Sequence, residues 1–336
     1  MRLRDHGLAV GRLEPGAANA VTDVPGVRVG DAPGAASGVT ALVPFTGAPR
    51  RYFAGRWSLD GGDELIGGLA MTEDFGALST PLVLAPPQAA GRIYDGLLAY
   101  GFGLDAGLPE DAGWPPGLIA VDGVPAPAAS LHAGLTEEHV AAALSAASGD
   151  APAEGQTGVG RGLAAFGARA GVGTASRRLP GGAVVGVLLA ANGGEPGSLT
   201  VDGERVGPRL GLAALGPERR RTFAAVVATD APLLPVQLDR LAQRASFGLV
   251  RVGLLDGNTS GGTILALSTT ALRDDAPAGP GAVRASATAE SGLPELFAAA
   301  AESCEEAVLN ALVAAGGQPS LDGSPPLPAD RLGADR

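Results

Sequence analysis

The apolar positions along the chain fall into short continuous runs that predict buried β-strands. The two clearest runs are Gly182–Ala191 (GAVVGVLLAA) and Thr222–Thr229 (TFAAVVAT), each bounded by glycines or charged residues. Continuous apolar runs of this length are typical of strands that are buried on both faces. Further strands are expected at four shorter runs: Gly38–Phe45, Pro81–Ala85, Phe247–Val252 and Thr263–Thr269.

Three segments have the composition and spacing of helices. Thr136 is a common helix-capping residue and two glutamates follow it, so a helix is predicted over Thr136–Ser148. Pro235–Ser246 begins with a proline and then has helical apolar spacing, and Pro294–Ala315 is long and amphipathic. Helices and strands do not alternate regularly as in a doubly wound fold, so the sequence indicates a mixed α/β protein.

The composition excludes several kinds of catalytic chemistry. All 24 basic residues among the 336 are arginine, so no lysine can form a Schiff base or bind phosphate in a Walker loop. One cysteine, Cys304, and three histidines give little basis for a metal centre. We therefore expect no metal and no cofactor, with chemistry carried by hydroxyls, amides, carboxylates, arginines or a chain terminus.

Charge and hydropathy limit the partners that are expected. The net charge of −11 at pH 7 argues against a nucleic-acid partner, which would need a basic patch. The apolar runs are shorter than the ~18 residues that a membrane helix needs. The first twelve residues lack the apolar core of a signal peptide. These features predict a cytoplasmic protein with neither a nucleic-acid nor a membrane partner.

Six stretches, in order along the chain, resemble a known family. The most specific is Ala228–Arg244 (ATDAPLLPVQLDRLAQR), in which ATDAPL precedes an LxRLAxR pattern. The others are Asn19–Gly30 (NAVTDVPGVRVG), Gly158–Arg177 (ending in GVGTASR), Val184–Gly194 (VVGVLLAANGG), Asn258–Thr269 (NTSGGTILALST) and Glu305–Ala314 (EEAVLNALVA). Together they resemble peptidase family S58, which contains L-aminopeptidase/D-esterase, β-peptidyl aminopeptidases and nylon-oligomer hydrolase.

The resemblance implies a four-layer α/β/β/α sandwich of the N-terminal-nucleophile hydrolase type, formed by residues 1–336 as one domain. It also implies self-cleavage between Arg221 and Thr222, into segments 1–221 and 222–336. The family nucleophile lies eight positions before the aspartate of the ATD stretch, which is Asp230 here. The Thr222 hydroxyl would be the nucleophile, and its freed α-amine, with a reference pKa of about 7.7–8.0, the general base.

Two more residues match functional positions of the family, and two positions depart from its pattern. Asn192 would help to form the oxyanion hole, and Ser260, thirty-eight positions after the nucleophile, would hydrogen-bond near it. From the residues alone, each is as typical of a turn. Arg221 stands where the family usually has Gly or Asn, and Gly262 where it has a carboxylate.

The resemblance predicts a hydrolase that releases N-terminal residues from small peptides, amides or esters, and a homo-oligomer, expected to be a tetramer. Three alternatives remain open. The chain could be an uncleaved, catalytically degenerate binding or assembly protein, or an acyltransferase of the ornithine-acetyltransferase type. An external protease could also nick it at Arg219–Arg221.

A further departure from the family pattern is Val121, which precedes the Asp122-Gly123 pair where many members have Tyr or Trp.

Overall fold

The computed structural model describes residues 1–46, 51–59, 65–68, 71–104, 106–107, 115–214, 221–255, 260–273, 284–321 and 323–333. The helices in these ranges are α1 (Met71–Phe75), α2 (Ala90–Leu104), α3 (Ala128–Gly134), α4 (Glu137–Ser145), α5 (Pro235–Val252) and α6 (Leu293–Ala315). The strands are β1 (Arg28–Pro33), β2 (Gly38–Val43), β3 (Tyr52–Leu59), β4 (Leu65–Gly67), β5 (Ala77–Leu78), β6 (Leu82–Ala85), β7 (Gly117–Ala120), β8 (Ala164–Ala165), β9 (Ala168–Arg169), β10 (Gly171–Arg178), β11 (Val184–Ala191), β12 (Thr200–Val201), β13 (Glu204–Arg205), β14 (Arg221–Thr229), β15 (Ser260–Ser268), β16 (Leu272–Arg273) and β17 (Arg284–Ala285).

Two sheets form the centre of the molecule. The five-stranded sheet has the order β1-β2-β6-β7-β4, and the six-stranded sheet has the order β10-β11-β14-β15-β3-β5. Neighbouring strands are antiparallel except for β6 with β7 and β14 with β15, which are parallel. Strand β14 therefore lies in the middle of the larger sheet, between antiparallel β11 and parallel β15.

The helices cover the outer face of each sheet. Helices α5 and α6 pack on each other and on the larger sheet, α5 against β3 and β15 and α6 against β10 and β11. Helices α2 and α4 pack on the smaller sheet. One buried apolar cluster joins the larger sheet to α5 and α6, and a second contains residues of both sheets. This arrangement is the expected α/β/β/α sandwich.

Most predicted strands and helices are confirmed, with one clear error. The run Phe247–Val252 is not a strand but the last part of helix α5. Its buried residues Leu249 and Val252 continue the helical spacing of Leu241 and Ala245. The helix ends at Gly253, whose φ of +82° is the left-handed conformation that commonly terminates helices. A short apolar run alone does not distinguish a strand from the end of a buried helix.

A buried group of charges joins the N-terminal segment to helix α6. Arg177 on β10 has no exposed side-chain surface, and it donates to Glu302 at 3.2 Å and to Glu306 at 2.7 Å. Glu306 also accepts two hydrogen bonds from Arg4, at 2.7 and 2.9 Å. The approach of β10 to α6 depends on Gly173, where an added Cβ would lie 2.0 Å from the Ala307 carbonyl oxygen.

The pKa of the Glu306 carboxyl reflects this pairing. Burial alone would raise its pKa, but the hydrogen bonds and charges of Arg4 and Arg177, with a bond from Asn19, outweigh burial and lower it. The neighbouring Glu305 differs, because burial is the dominant effect there and raises its pKa in spite of Arg251. Two glutamates at adjacent positions of α6 thus have opposite effects on folding stability as pH changes.

We expect Arg177→Leu to lower the free energy of unfolding by about 3–5 kcal/mol, because it leaves two buried carboxylates without their shared cation. Urea denaturation at pH 7 measures the change. Arg178→Leu is the matched control, since Arg178 is the next residue of the same strand and is exposed. Equal losses in the two variants would contradict a stabilising role for the buried charges.

We expect the stability difference between wild type and Glu306→Gln to grow as pH rises from 3 to 7. The folded-state pKa of Glu306 is lowered, so its contribution is present above the unfolded value, about 4.3, and is lost as pH falls through the folded-state value. Glu305→Gln should show the opposite trend, because its folded-state pKa is raised. Denaturant titrations across this pH range measure both differences, and parallel trends would refute the assignment.

Candidate active site

Thr222 is the second residue of β14, and its side chain is completely buried. Alternate residues of a strand point to the same face, so Thr222 shares a face with Ala224 and Val226. The side chains of these two residues belong to the apolar cluster that contains residues of both sheets. The hydroxyl of Thr222 therefore points from the larger sheet toward the smaller one.

Thr222 makes two hydrogen bonds to the backbone of Asp122, which follows β7 of the smaller sheet. The Asp122 N–H donates to the Thr222 Oγ1 at 2.7 Å, and the Thr222 N–H donates to the Asp122 carbonyl oxygen at 3.1 Å. The preceding residue, Val121, is bonded to the Ala85 carbonyl at the end of β6. We call this contact between Asp122 and Thr222 the sheet junction.

Asn192 completes the sheet junction from the larger sheet. It directly follows β11, is fully buried, and donates from Nδ2 to the Asp122 carbonyl at 2.6 Å and to the Thr222 carbonyl at 3.2 Å. Two carbonyl acceptors fix which end of the amide carries the donors. The structure thus brings together two of the residues predicted from the sequence, Thr222 and Asn192.

Ser260, the third predicted residue, is the first residue of β15. Its backbone pairs with Arg221 in the parallel ladder, one step before the pair of Thr222 with Gly261. Gly262, two residues after Ser260, has a φ of +152°. A Cβ built there would lie 2.1 Å from the Phe223 carbonyl oxygen. Because this backbone leaves no room for a side chain, the glycine at position 262 is part of the local strand geometry.

Asp122 and Gln88 lie at the sheet junction but were not predicted as site residues. The Asp122 carboxylate accepts hydrogen bonds at Oδ1 from the Gly123 N–H, at 2.8 Å, and from the Gln88 Nε2, at 3.2 Å. The signal that could have indicated Asp122 is its place directly after the apolar run of residues 117–121, since functional side chains often follow the end of a buried strand.

Three buried polar atoms near the sheet junction have no hydrogen-bond partner among the described residues. They are Oδ1 of Asn192, Oε1 of Gln88 and Oγ1 of Thr263. Thr263 pairs with Ala224 across the parallel ladder, so it lies on the same face of the sheet as Thr222. Leaving such an atom unpaired costs about 1–3 kcal/mol, so a group of them in one place marks the sheet junction as a candidate site.

In the described structure, the strands that flank Thr222 carry few charged residues. Strands β11 and β15 consist of uncharged residues, and Arg221 is the charged residue of β14. In the described part of the chain, no group of three or more His, Cys, Asp or Glu residues is arranged to hold a metal ion. The sheet junction thus combines a hydroxyl, an amide and the carboxylate of Asp122.

Within the ranges that the structure covers, no helix has the length and apolar character needed to cross a membrane. Helix α6 is 23 residues long, but it carries four glutamates at Glu295, Glu302, Glu305 and Glu306. Its buried Glu306 pairs with Arg177, and its buried Glu305 pairs with Arg251.

Comparison with known proteins identifies relatives over nearly the whole chain. The model of Peptidase family S58 matches residues 19–324. The β-peptidyl aminopeptidase BapA of Sphingosinicella xenopeptidilytica is 34% identical over 353 residues, covering 93% of this chain and 85% of that protein. The BapA of Sphingosinicella microcystinivorans is 32% identical over 349 residues, covering 94% of this chain and 86% of that protein.

Solved structures give the same result for the fold. A β-aminopeptidase from a Burkholderia species is 36% identical and superposes with a TM-score of 0.86, covering 99% of this chain and 97% of that chain. The L-aminopeptidase D-Ala-esterase/amidase of Ochrobactrum anthropi is 31% identical with a TM-score of 0.82, covering 98% and 94%. That second structure is described as a variant of the Ntn, or N-terminal-nucleophile, hydrolase fold.

These relatives confirm the resemblance found in the sequence motifs. They favour hydrolysis over the acyltransferase and binding-protein alternatives, because these relatives, matched over most of their length, are aminopeptidases. The chain belongs to peptidase family S58 and is a peptide-bond hydrolase with the N-terminal-nucleophile hydrolase fold.

Proposed function

We propose that this aminopeptidase cleaves its own chain between Arg221 and Thr222 and then uses Thr222 to hydrolyse small peptides, amides or esters. The sheet junction is the observation that carries the proposal. There, a buried threonine accepts a backbone hydrogen bond at its hydroxyl and an amide hydrogen bond at its carbonyl, in a chain that contains no lysine. A nucleophile whose base is its own α-amine needs neither lysine nor histidine.

Self-cleavage follows from the chemistry of the Arg221–Thr222 peptide. The Thr222 Oγ1 attacks the Arg221 carbonyl carbon, the C–N bond breaks, and the acyl group moves from nitrogen to oxygen as an ester. Water then hydrolyses this ester, which leaves a carboxylate on Arg221 and returns the hydroxyl to Thr222. The α-nitrogen of Thr222 becomes a free amine, so cleavage creates the base that later turnover requires.

Turnover uses the same hydroxyl on an external substrate. The Thr222 Oγ1 attacks the scissile carbonyl while the α-amine takes the hydroxyl proton, and the resulting ammonium passes that proton to the leaving group. Water, deprotonated by the same amine, hydrolyses the acyl-enzyme ester and releases the acid. Because Thr222 is completely buried in the continuous chain, a substrate reaches its hydroxyl only after the backbone around it has changed.

Asn192 fits the role of oxyanion donor, since its Nδ2 lies within 3.2 Å of the Thr222 carbonyl oxygen. Both Nδ2 hydrogens are occupied in the continuous chain, by the carbonyls of Asp122 and Thr222. Binding of an oxyanion therefore requires that the amide exchange one of these carbonyls for the reacting oxygen. Ser260, whose backbone pairs with Arg221 directly before Thr222, is proposed to hold the nucleophile from β15.

We also propose the wider setting that the sequence predicts. The mature protein would be segments 1–221 and 222–336 of one domain, assembled as a homo-oligomer in the cytoplasm. The names of the relatives support a substrate with a free N-terminal residue, because they describe β-peptidyl and L-amino-acid peptidases. The net charge of −11 supports the absence of a nucleic-acid partner.

We expect the purified protein to give two fragments on denaturing mass analysis, the second beginning at Thr222, from a chain of 33.0 kDa. Thr222→Ala should remain intact because it lacks the attacking hydroxyl, and Thr222→Ser, which keeps a hydroxyl, should still be cut. Cleavage of the alanine variant would indicate an external protease acting at residues 219–221, which lie partly outside the described ranges. An intact, inactive wild type would refute the proposed function.

We expect Asn192→Ala to reduce kcat on an aminoacyl amide by about 10²–10³-fold, as is typical for the loss of one oxyanion donor. Asn192→Asp is the matched variant, since it keeps the shape of the side chain but removes the Nδ2 donor. Steady-state kinetics on protein shown by mass to be cleaved separates this effect from failed processing. Activity within a few-fold of wild type in both variants would exclude Asn192 as the donor.

A further inference from the structure

The sheet junction contains a carboxylate for which the proposed reaction has no role so far. Asp122 holds the Thr222 hydroxyl and N–H through its own backbone N–H and carbonyl, so its carboxylate belongs to a residue in direct backbone contact with Thr222. Its Oδ1 accepts hydrogen bonds from Gly123 and Gln88. No hydrogen bond to Oδ2 is found among the described residues, and the side chain is only partly buried.

Among the described residues, the strands around Thr222 carry few charges besides the carboxylate of Asp122. Strands β11 and β15, which flank β14, carry no charged residues, and neither does β7, which leads to Asp122. Gly262 has no side chain and no room for one. Arg221, the charged residue of β14, becomes a new chain end if the chain is cut. In the described structure, Asp122 is thus the acidic residue in hydrogen-bond contact with Thr222.

An ammonium formed at this position needs an electrostatic partner. Cleavage would convert the Thr222 N–H, which now donates to the Asp122 carbonyl, into a group with three donors and a positive charge. Burial lowers the pKa of an ammonium, whereas a nearby carboxylate raises it. The Asp122 carbonyl already accepts a hydrogen bond from the Thr222 nitrogen, and Oδ1 of Asn192, which has no partner among the described residues, is a second acceptor for the ammonium hydrogens.

We propose that Asp122 is the electrostatic partner of the Thr222 α-amine in the cleaved protein, with its carboxylate stabilising the ammonium that forms when the amine takes the nucleophile's proton. The backbone of Asp122 positions the hydroxyl, and its side chain sets the pKa of the base. Gln88 and Gly123 orient the carboxylate by occupying Oδ1. This role rests on the proposed function, because it requires a free amine on Thr222.

The test is the pH dependence of kcat/KM, measured on an aminoacyl amide with protein shown by mass to be cleaved. The acidic limb of that profile reports the pKa of the α-ammonium in the free enzyme. Asp122→Asn keeps the shape and the Oδ1 acceptor but removes the charge, so the limb should move to lower pH by about half to one unit. Asp122→Glu should restore it toward the wild-type position.

Asp150→Asn is the matched control, since it makes the same charge change at an exposed residue and should leave the profile unchanged. A limb that stays in place in cleaved Asp122→Asn would overturn the proposal, whatever the loss of rate, because a purely structural role does not move this pKa. Failure of Asp122→Asn to be cleaved, with Asp122→Glu and Asp150→Asn cleaved, would also overturn it, since the carboxylate would then act before the ammonium exists. An uncleaved wild type would instead refute self-processing.

Discussion

The buried ion pairs of Arg177 join the larger sheet to helix α6, and the placement of that helix depends on them. Arg177 lies in the outer strand of the larger sheet and pairs with two glutamates of the helix that covers that sheet. The second of these glutamates also binds Arg4 at the other end of the chain. Removing charges from water is costly, so such a group stabilises a fold only when each member keeps its partners. The arrangement therefore fixes the N-terminal segment, β10 and α6 as one unit.

The site depends on a second constraint, which is that two sheets must meet at one place. Thr222 lies at the start of β14 in the larger sheet, and Asp122 lies just after the end of β7 in the smaller sheet. Their paired hydrogen bonds set the distance between the two sheets at this edge. The proposed nucleophile is thus positioned by backbone groups of the opposite layer. Substitutions other than proline leave backbone groups in place, which makes the position of the hydroxyl insensitive to most changes in nearby side chains.

Much of the fold could be predicted because buried strands and long helices leave strong local signals. The runs that became β11 and β14 are continuous and apolar, and α6 has a clear helical pattern. The strand at Phe247–Val252 was predicted wrongly because an apolar run of six residues is as typical of a buried strand as of the end of a buried helix. Family motifs supplied Thr222 and Asn192. The contact of Asp122 with Thr222 could not be predicted, because it joins residues one hundred positions apart and is made by backbone atoms, which have no sequence signature.

The strand order of the larger sheet has a consequence for what a cut chain becomes. Strands β14 and β15 belong to the segment after residue 221, but they lie between β11 and β3, which belong to the segment before it. Neither segment can form this sheet alone, so the two pieces are interleaved rather than docked. Once the peptide bond after residue 221 is cut, unfolding separates two chains, and refolding requires that they associate again. The thermal stability of the cut form then depends on its concentration, as in an obligate heterodimer, and folding before the cut is the efficient route to the native state.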